Sequence, residues 1–278
     1  MPRRDFTPDV YSALLSALSN HTFQRYDEFC MAEGAQGVVL RHDVDALPQH
    51  ALRFAQMQHR LGIQGTYYFR IVPASLHPEI IEKIAGLGHE IGYHYEDVTL
   101  AAAAMGADKK RIKDPERFRE KLLERAIDSF AGNLSELRRY AEIRTICMHG
   151  SPLSKWDSRM LWSRYDYRDF GLIGEPYFDT DFTRVAYYTD TGRRWDGDKS
   201  IIRDRPVYAN GGGSYSVQIQ QSKAADSRLE QIQPFPRFHT TFDIIQAARD
   251  GRLPGRMMFT FHPQRWHGQW RPWLTELL

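Results

Sequence analysis

From Val38 to His94 the chain alternates between short apolar runs and amphipathic segments, and this alternation constrains the fold more than any other feature. The runs GVVLRHDVD, GTYYFRIV and HEIGYH are typical of buried strands. The segments between them, PQHALRFAQMQHRLG and HPEIIEKIAGLG, carry apolar residues at helical spacing and end at glycines. Strands that alternate with helices in this way predict parallel pairing with crossover helices.

The rest of the chain continues the same pattern with one irregular stretch. Asp114 and Pro115 predict the start of a long helix, interrupted near Gly132-Asn133. A fourth strand is predicted at IRTICMHGSP, and two short strands are predicted at VAYYTDTG and SIIRDRPVY. A helix is predicted at TTFDIIQAARDG, a last strand at RMMFTFHPQRW and a C-terminal helix after Trp266. We therefore expect one α/β domain over residues 1–278, barrel-like from about 38 to 266, with an N-terminal helical extension.

Composition excludes several function classes. The chain has 278 residues and a net charge of +2, without the basic stripe of a nucleic-acid-binding protein. No apolar run is long enough to span a membrane, and the N-terminus has no signal-peptide h-region. Two cysteines supply no disulfide framework, so we expect a reducing, cytoplasmic compartment. The oligomeric state stays open.

Acidic and imidazole side chains recur where the predicted strands end. Parallel strands bring their carboxyl ends to one face, where the active sites of α/β barrels lie. The sequence therefore predicts one shared site from four separate segments. Its members are Asp43, Asp45, His94, His149 and His262.

Asp43 and Asp45 are two residues apart and point to the same side of an ideal strand. Two carboxylates that face one site repel each other unless a cation or proton lies between them. A divalent metal resolves this repulsion, and mixed Asp/His sites suit zinc and other first-row metals. Arg41, on the same side, is expected to hold Asp43 ionised or to bind substrate.

Four motifs in this order, RHDVD, GTYYF, GHEIGYH and FTFHP, resemble those of the polysaccharide deacetylase superfamily, also called NodB-homology or carbohydrate esterase 4 proteins. The resemblance covers residues from about 38 to 266. It implies a distorted (β/α) barrel, one divalent metal and hydrolysis of an N-acyl group from a sugar. By this resemblance Asp43 is the general base, Asp45 and His94 are metal ligands, and His262 is the general acid.

The chain departs from the family pattern at the third metal ligand. The family places a second histidine four residues after the first, where this chain has Val98. The family's Arg-x-Pro-Tyr segment is also absent, and HGSP stands near its place. Three readings stay open: His149 is the third ligand, Glu96 or Asp97 is, or the site holds no metal. The metal expected is zinc, with cobalt or nickel as alternatives.

Further residues are expected to contact a small-molecule or oligosaccharide substrate. Arg265 suits an anionic group, and tryptophans suit stacking on a sugar ring. His89, just before the third strand, is expected to fix a turn instead. The substrate-binding set is Arg41, Tyr95, Asp190, Trp195, Arg265 and Trp266.

The resulting hypothesis is an enzyme: a metal-dependent carbohydrate N-deacetylase, as the resemblance implies, acting in bacterial surface-polysaccharide (O-antigen) synthesis. One alternative is a non-catalytic barrel that binds a glycan or sugar nucleotide. Another is a metal-independent hydrolase or transferase of sugar amides that uses Asp43 and His262 alone.

Overall fold

The computed structural model describes residues 4–32, 34, 36–106, 114–150, 156–196 and 235–275. The strands are β1 (Phe23–Gln24), β2 (Gly37–Val44), β3 (Thr66–Phe69), β4 (Glu90–Tyr95), β5 (Ile143–Met148), β6 (Ala186–Thr189) and β7 (Arg256–Phe261). The helices are α1 (Pro8–Ala17), α2 (Tyr26–Met31), α3 (Pro48–Arg60), α4 (Pro78–Gly86), α5 (Asp97–Ala104), α6 (Pro115–Leu137), α7 (Pro176–Asp179), α8 (Thr241–Arg249) and α9 (Trp270–Thr275). Short 3-10 turns cover Ser158–Ser163, Tyr167–Phe170 and Pro263–Arg265.

Within these ranges the strands form one seven-stranded sheet in the order β5-β4-β3-β2-β7-β6, with β1 paired to the start of β2. Every ladder between the described strands is parallel, which confirms the α/β class. Every residue of β2 is buried, as expected for a central strand with both faces covered. No ladder joins β5 to β6 in the described part of the chain.

The predicted β-α-β-α-β unit is confirmed by β2, α3, β3, α4 and β4. Pro48 begins α3, and Gly62 follows its end with a φ of 68°, a left-handed conformation that glycine adopts without steric cost. Pro78 begins α4 in the same way. The predicted strand SIIRDRPVY lies outside the described residues.

Two helices differ from expectation. The interruption predicted near Gly132-Asn133 is wrong, because α6 runs unbroken to Leu137. Asn133 has a tertiary role that offsets its weak helix propensity: its amide donates to Tyr93 Oη at 3.1 Å and to Asp97 Oδ1 at 2.7 Å. Helix α5, which the sequence did not predict, begins directly after β4.

The N-terminal extension is helical, as predicted, and packs on the domain through a buried polar contact. Tyr11 of α1 is fully buried, with its hydroxyl 2.9 Å from His42 Nε2 in the central strand. Gln58 of α3 donates to the same hydroxyl at 2.8 Å. The extension is therefore part of the hydrophobic core. None of the helices in the described ranges is both long and apolar enough to cross a membrane.

Candidate metal centre

The five acidic and imidazole side chains that the sequence assigns to strand ends lie at one edge of the sheet. Neighbouring parallel strands bring their carboxyl ends together at this edge. Asp43 and Asp45 come from β2 and the residue after it, His94 from β4, His149 from the residue after β5, and His262 from the residue after β7.

Asp45, His94 and His149 form the tightest group of possible metal ligands. Asp45 Oδ1 is 3.4 Å from His94 Nε2 and 3.4 Å from His149 Nε2. Two ligands bound at about 2.0–2.2 Å around a tetrahedral zinc lie about 3.3–3.6 Å apart, so these distances fit one ion. Asp45 Oδ1 is buried and has no hydrogen-bond donor among the described residues. A buried carboxylate oxygen in this state requires a cation or a proton.

Each histidine is oriented by a hydrogen bond at its other ring nitrogen. His94 Nδ1 lies 2.9 Å from the carbonyl oxygen of Cys147, so Nδ1 carries the proton and Nε2 is left to bind a metal. His149 Nδ1 lies 3.1 Å from Glu96 Oε2. Carbonyl and carboxylate partners of this kind typically orient metal-ligating histidines and raise their basicity.

The two alternative third ligands have other partners. Glu96 Oε1 accepts from Arg70 Nε at 2.7 Å, so Glu96 lies between Arg70 and His149. Asp97 accepts from Tyr93 and Ser129 on the side facing α6. Val98, where the family has its second histidine, is fully buried in the core. Of these alternatives, His149 is the residue that shares a possible ligand group with Asp45 and His94.

A second group, Asp43, His94 and Cys147, also brings three possible ligand atoms within 4.8 Å of one another. Asp43 is less suited to a metal because both its oxygens accept from Arg41, at 2.8 Å from Nε and 2.5 Å from Nη2. The guanidinium already neutralises this carboxylate and repels a nearby cation.

Asp43 lies beside the three-residue group without belonging to it. Its Oδ2 is 3.8 Å from His94 Nε2. Burial disfavours the carboxylate, but Arg41 and His94 outweigh burial and hold the pKa of Asp43 below its usual value. Burial also lowers the pKa of His94, but Asp43 and Asp45 outweigh it and the pKa of His94 is raised. The site therefore favours a positive charge, either a proton or a metal ion.

His262 forms a dyad with Asp190. His262 Nδ1 is 2.6 Å from Asp190 Oδ1, and its backbone N–H donates to Asp190 Oδ2 at 2.9 Å. Burial and Arg265 lower the pKa of His262, but Asp190 outweighs them and the pKa is raised. No partner to His262 Nε2 occurs among the described residues, so this nitrogen is available to a ligand.

The sequence reasoning missed the contacts that hold Asp45. Gln264 Nε2 donates to Asp45 Oδ2 at 2.9 Å, and Arg70 Nη1 donates to the Asp45 carbonyl at 3.3 Å. Gln264 follows His262 by two residues in FHPQRW, and that short spacing was the available signal. The turn that carries the predicted acid therefore also supports the predicted metal ligand.

Four residues of the predicted substrate-binding set have other roles. Asp190 is fully buried and orients His262. Trp266 is fully buried and donates from Nε1 to Asp190 Oδ2 at 2.7 Å. Trp195 is buried and donates to Thr241 at 2.9 Å. Tyr95 alternates with His94 along β4 and packs against Phe130 and Trp162. These contacts place the three aromatic rings in the core, which leaves them no surface for a sugar.

The other predicted residues lie as follows. Arg41 is fully buried against Asp43 and donates to Tyr177 Oη at 3.0 Å, so it holds the carboxylate and has no exposed surface. Arg265 is partly exposed beside His262. His89 accepts from the Gly65 N–H at 3.1 Å and lies 3.0 Å from the Ala55 carbonyl, which fits its predicted structural role.

The second glycine of the GHEIGYH motif, Gly92, has a packing role. A Cβ at Gly92 would collide with the ring of Tyr68 on the neighbouring strand. The Tyr68 ring lies 5.9 Å from the Arg41 guanidinium carbon and 6.4 Å from the His94 ring. Glycine at this position lets an aromatic ring pack directly behind the candidate site.

Comparisons with known proteins show only weak similarity. No protein-family model and no curated protein matches the chain. One solved structure, titled "Crystal structure of Escherichia coli Diaminopropionate ammonia lyase in apo form", aligns at 12% identity with a TM-score of 0.20, over 91% of this chain and 72% of that chain. A likeness at this level carries no conclusion about fold or function.

Proposed function

We propose that this chain is a metal-dependent hydrolase that removes an N-acyl group from a sugar, on a distorted barrel of the NodB-homology type. The observation that carries the proposal is Asp45 Oδ1, buried without a donor and 3.4 Å from each of two histidine Nε2 atoms. Asp45, His94 and His149 would hold zinc, or cobalt or nickel. The sugar substrate and a place in surface-polysaccharide synthesis rest on the motif resemblance described above.

The metal and the protein residues have separate parts in the proposed reaction. A divalent cation held by Asp45, His94 and His149 would polarise the acyl oxygen and lower the pKa of water. Asp43 accepts a proton from the attacking water. Its two oxygens accept from Arg41, but each carboxylate oxygen has a second lone pair that can accept another proton donor.

His262 is the proposed proton donor to the departing amine. Asp190 holds the ring through Nδ1, which directs Nε2 away from the dyad and leaves it available to the substrate. Asp190 also raises the tendency of His262 to carry a proton, which an acid requires. Arg41 keeps Asp43 ionised and in one orientation, as a base requires. In the proposed reaction the amide would lie between a base from β2, Asp43, and an acid from the turn after β7, His262.

The first test is metal content measured beside acetate release. We expect wild-type protein to bind about one equivalent of zinc, cobalt or nickel and to release acetate from a member of a panel of N-acetyl sugars. Asp45→Asn, His94→Ala and His149→Ala should each lose the metal and the activity. Cys147→Ser should keep the metal, which separates the two possible ligand groups. His239→Ala, an exposed histidine on the surface, is the matched control. Wild-type protein that binds none of these metals would refute the proposal.

A further inference from the structure

Arg265 differs from the other guanidinium groups around the candidate site. Arg41 is paired with Asp43, and Arg70 with Glu96. Arg265 is partly exposed, and no carboxylate of the described residues lies within ion-pair distance of it. Its Nη1 makes one long contact, 3.5 Å, to the Asp190 carbonyl oxygen. Among the described residues, its other four N–H donors meet no acceptor, so they can bind a ligand.

Asp190 is near enough for the charge of Arg265 to lower its pKa, but its carboxylate forms no ion pair with Arg265. The Asp190 carboxylate accepts from the His262 ring and backbone and from the Trp266 indole. Each of its two oxygens therefore already accepts at least one hydrogen bond from a residue other than Arg265. The positive charge of Arg265 nevertheless acts on His262, since it lowers the pKa of that imidazole. The guanidinium therefore lies beside the proposed acid. It helps to lower the pKa of Asp190, but it forms no ion pair with a carboxylate of the described residues.

The chain holds Arg265 at this place by a short turn. Its backbone N–H donates to the His262 carbonyl at 2.9 Å within the 3-10 turn Pro263–Arg265. His50 of α3 contacts the Pro263 carbonyl at 3.2 Å and fixes the turn from outside. These bonds fix the backbone of Arg265 three residues after the proposed acid, so the guanidinium starts from a defined place beside His262.

We propose that Arg265 binds an anionic group, a carboxylate or phosphate, carried by the substrate on the amine side of the scissile bond. The inference rests on the proposed function, which places the departing amine at His262. A planar guanidinium with several free donors suits both anions through two parallel hydrogen bonds. The substrate class is therefore an acidic N-acyl amino sugar, either a uronate or a sugar phosphate.

The test is a binding measurement on metal-free protein, because a bound metal would itself attract an anion. Titration calorimetry compares three probes: N-acetylglucosamine, N-acetylglucosamine 1-phosphate and the 6-carboxylate of N-acetylglucosamine. We expect wild-type protein to bind one anionic probe about 10- to 100-fold more tightly than the neutral sugar. The two anionic probes distinguish phosphate from carboxylate. Equal binding of all three, or no binding of any, would overturn the inference.

Variants separate anion binding from a structural role. In Arg265→Gln the ratio of the affinity for the anionic probe to the affinity for the neutral sugar should fall to about one. The affinity for the neutral sugar itself should change less than about twofold. Arg265→Lys should keep part of the preference, since it keeps the charge but loses the planar fork. Arg249→Gln is the matched control, because Arg249 is exposed at the end of α8, away from the sheet edge that carries the site. An unchanged preference in Arg265→Gln would overturn the inference.

Acetate release from the same three probes by metal-loaded protein separates this inference from the proposed function. Preferential binding that depends on Arg265, without acetate release from any amide, would refute the hydrolase and leave an anion-binding site. Acetate release that is equal for neutral and anionic probes, and unaffected by Arg265→Gln, would refute the anion site and leave the hydrolase.

Discussion

Glu96 and His149 lie side by side at the ends of two neighbouring strands, with His149 Nδ1 3.1 Å from Glu96 Oε2. Arg70 contacts the other oxygen of the same carboxylate at 2.7 Å. Burial raises the pKa of Glu96, but His149 and Arg70 outweigh burial and hold it below its usual value. Glu96 is therefore an ionised acceptor that orients the candidate third ligand.

Replacing Glu96 with glutamine should weaken metal binding without abolishing it. The amide keeps the size of the side chain but removes the negative charge beside His149 Nδ1, so we expect about a 10- to 100-fold loss of metal affinity. Competition with a chromophoric chelator measures this affinity directly. Glu79→Gln, at an exposed glutamate of α4, is the control. Unchanged affinity in Glu96→Gln would show that Glu96 does not support His149.

Asp190 should act on the reaction only through His262. His262→Gln is expected to reduce acetate release by about 100- to 10,000-fold while the metal content stays unchanged. Asp190→Asn should reduce it at least about tenfold, because the ring loses the partner that orients it and favours its protonation. The double variant should be no slower than His262→Gln alone. Additive losses would show that Asp190 has a separate role.

Metal addition should stabilise the fold through Asp45. At a zinc concentration 100 times the dissociation constant, binding adds about 2.7 kcal/mol to the free energy of unfolding. For a chain of this size that corresponds to a rise in Tm of several degrees. Asp45→Asn should lose the rise, whereas His239→Ala should keep it. Differential scanning calorimetry with and without zinc makes the comparison, and an equal rise in Asp45→Asn would exclude Asp45 as a ligand.

Asp97 should make stability fall as pH rises from about 4 to about 6. Burial raises the pKa of Asp97 to about 6, although hydrogen bonds from Tyr93 and Ser129 oppose the shift. Between the unfolded value of about 3.9 and this folded value, the native state holds a proton that the unfolded state has released. The contribution of Asp97 to the free energy of unfolding is fully present below about pH 4. Up to about 3 kcal/mol of it is lost as pH rises through the folded pKa.

Asp97→Asn removes this titration, so its free energy of unfolding should vary less between pH 4 and 7 than that of the wild type. Urea unfolding at several pH values gives the two slopes. The control is Asp128→Asn, at an exposed position of α6. If Asp97→Asn and wild type lose stability equally over this range, the raised pKa is absent.

Local pattern was enough to predict the secondary structure that carries the site. Alternation of apolar runs with helical spacing predicted β2, α3, β3, α4 and β4, and the same logic predicted β5, α8 and β7. Helix α5 escaped prediction because its run DVTLAAAA has no clear apolar stripe. The sequence did not predict that α6 runs uninterrupted, because Asn133 is held by contacts with Tyr93 and Asp97, which lie in distant parts of the chain.

The sequence by itself determined the parallel α/β class and placed Asp43, Asp45, His94 and His262 at strand ends, because strand periodicity and strand termini are local properties. Tertiary structure alone decided how the neighbouring residues divide their roles. Asp97 faces α6, Glu96 supports His149, and Trp266 contacts Asp190 from inside the core. The direction of each of these side chains depends on packing against elements far away in sequence, and no local pattern contains that information.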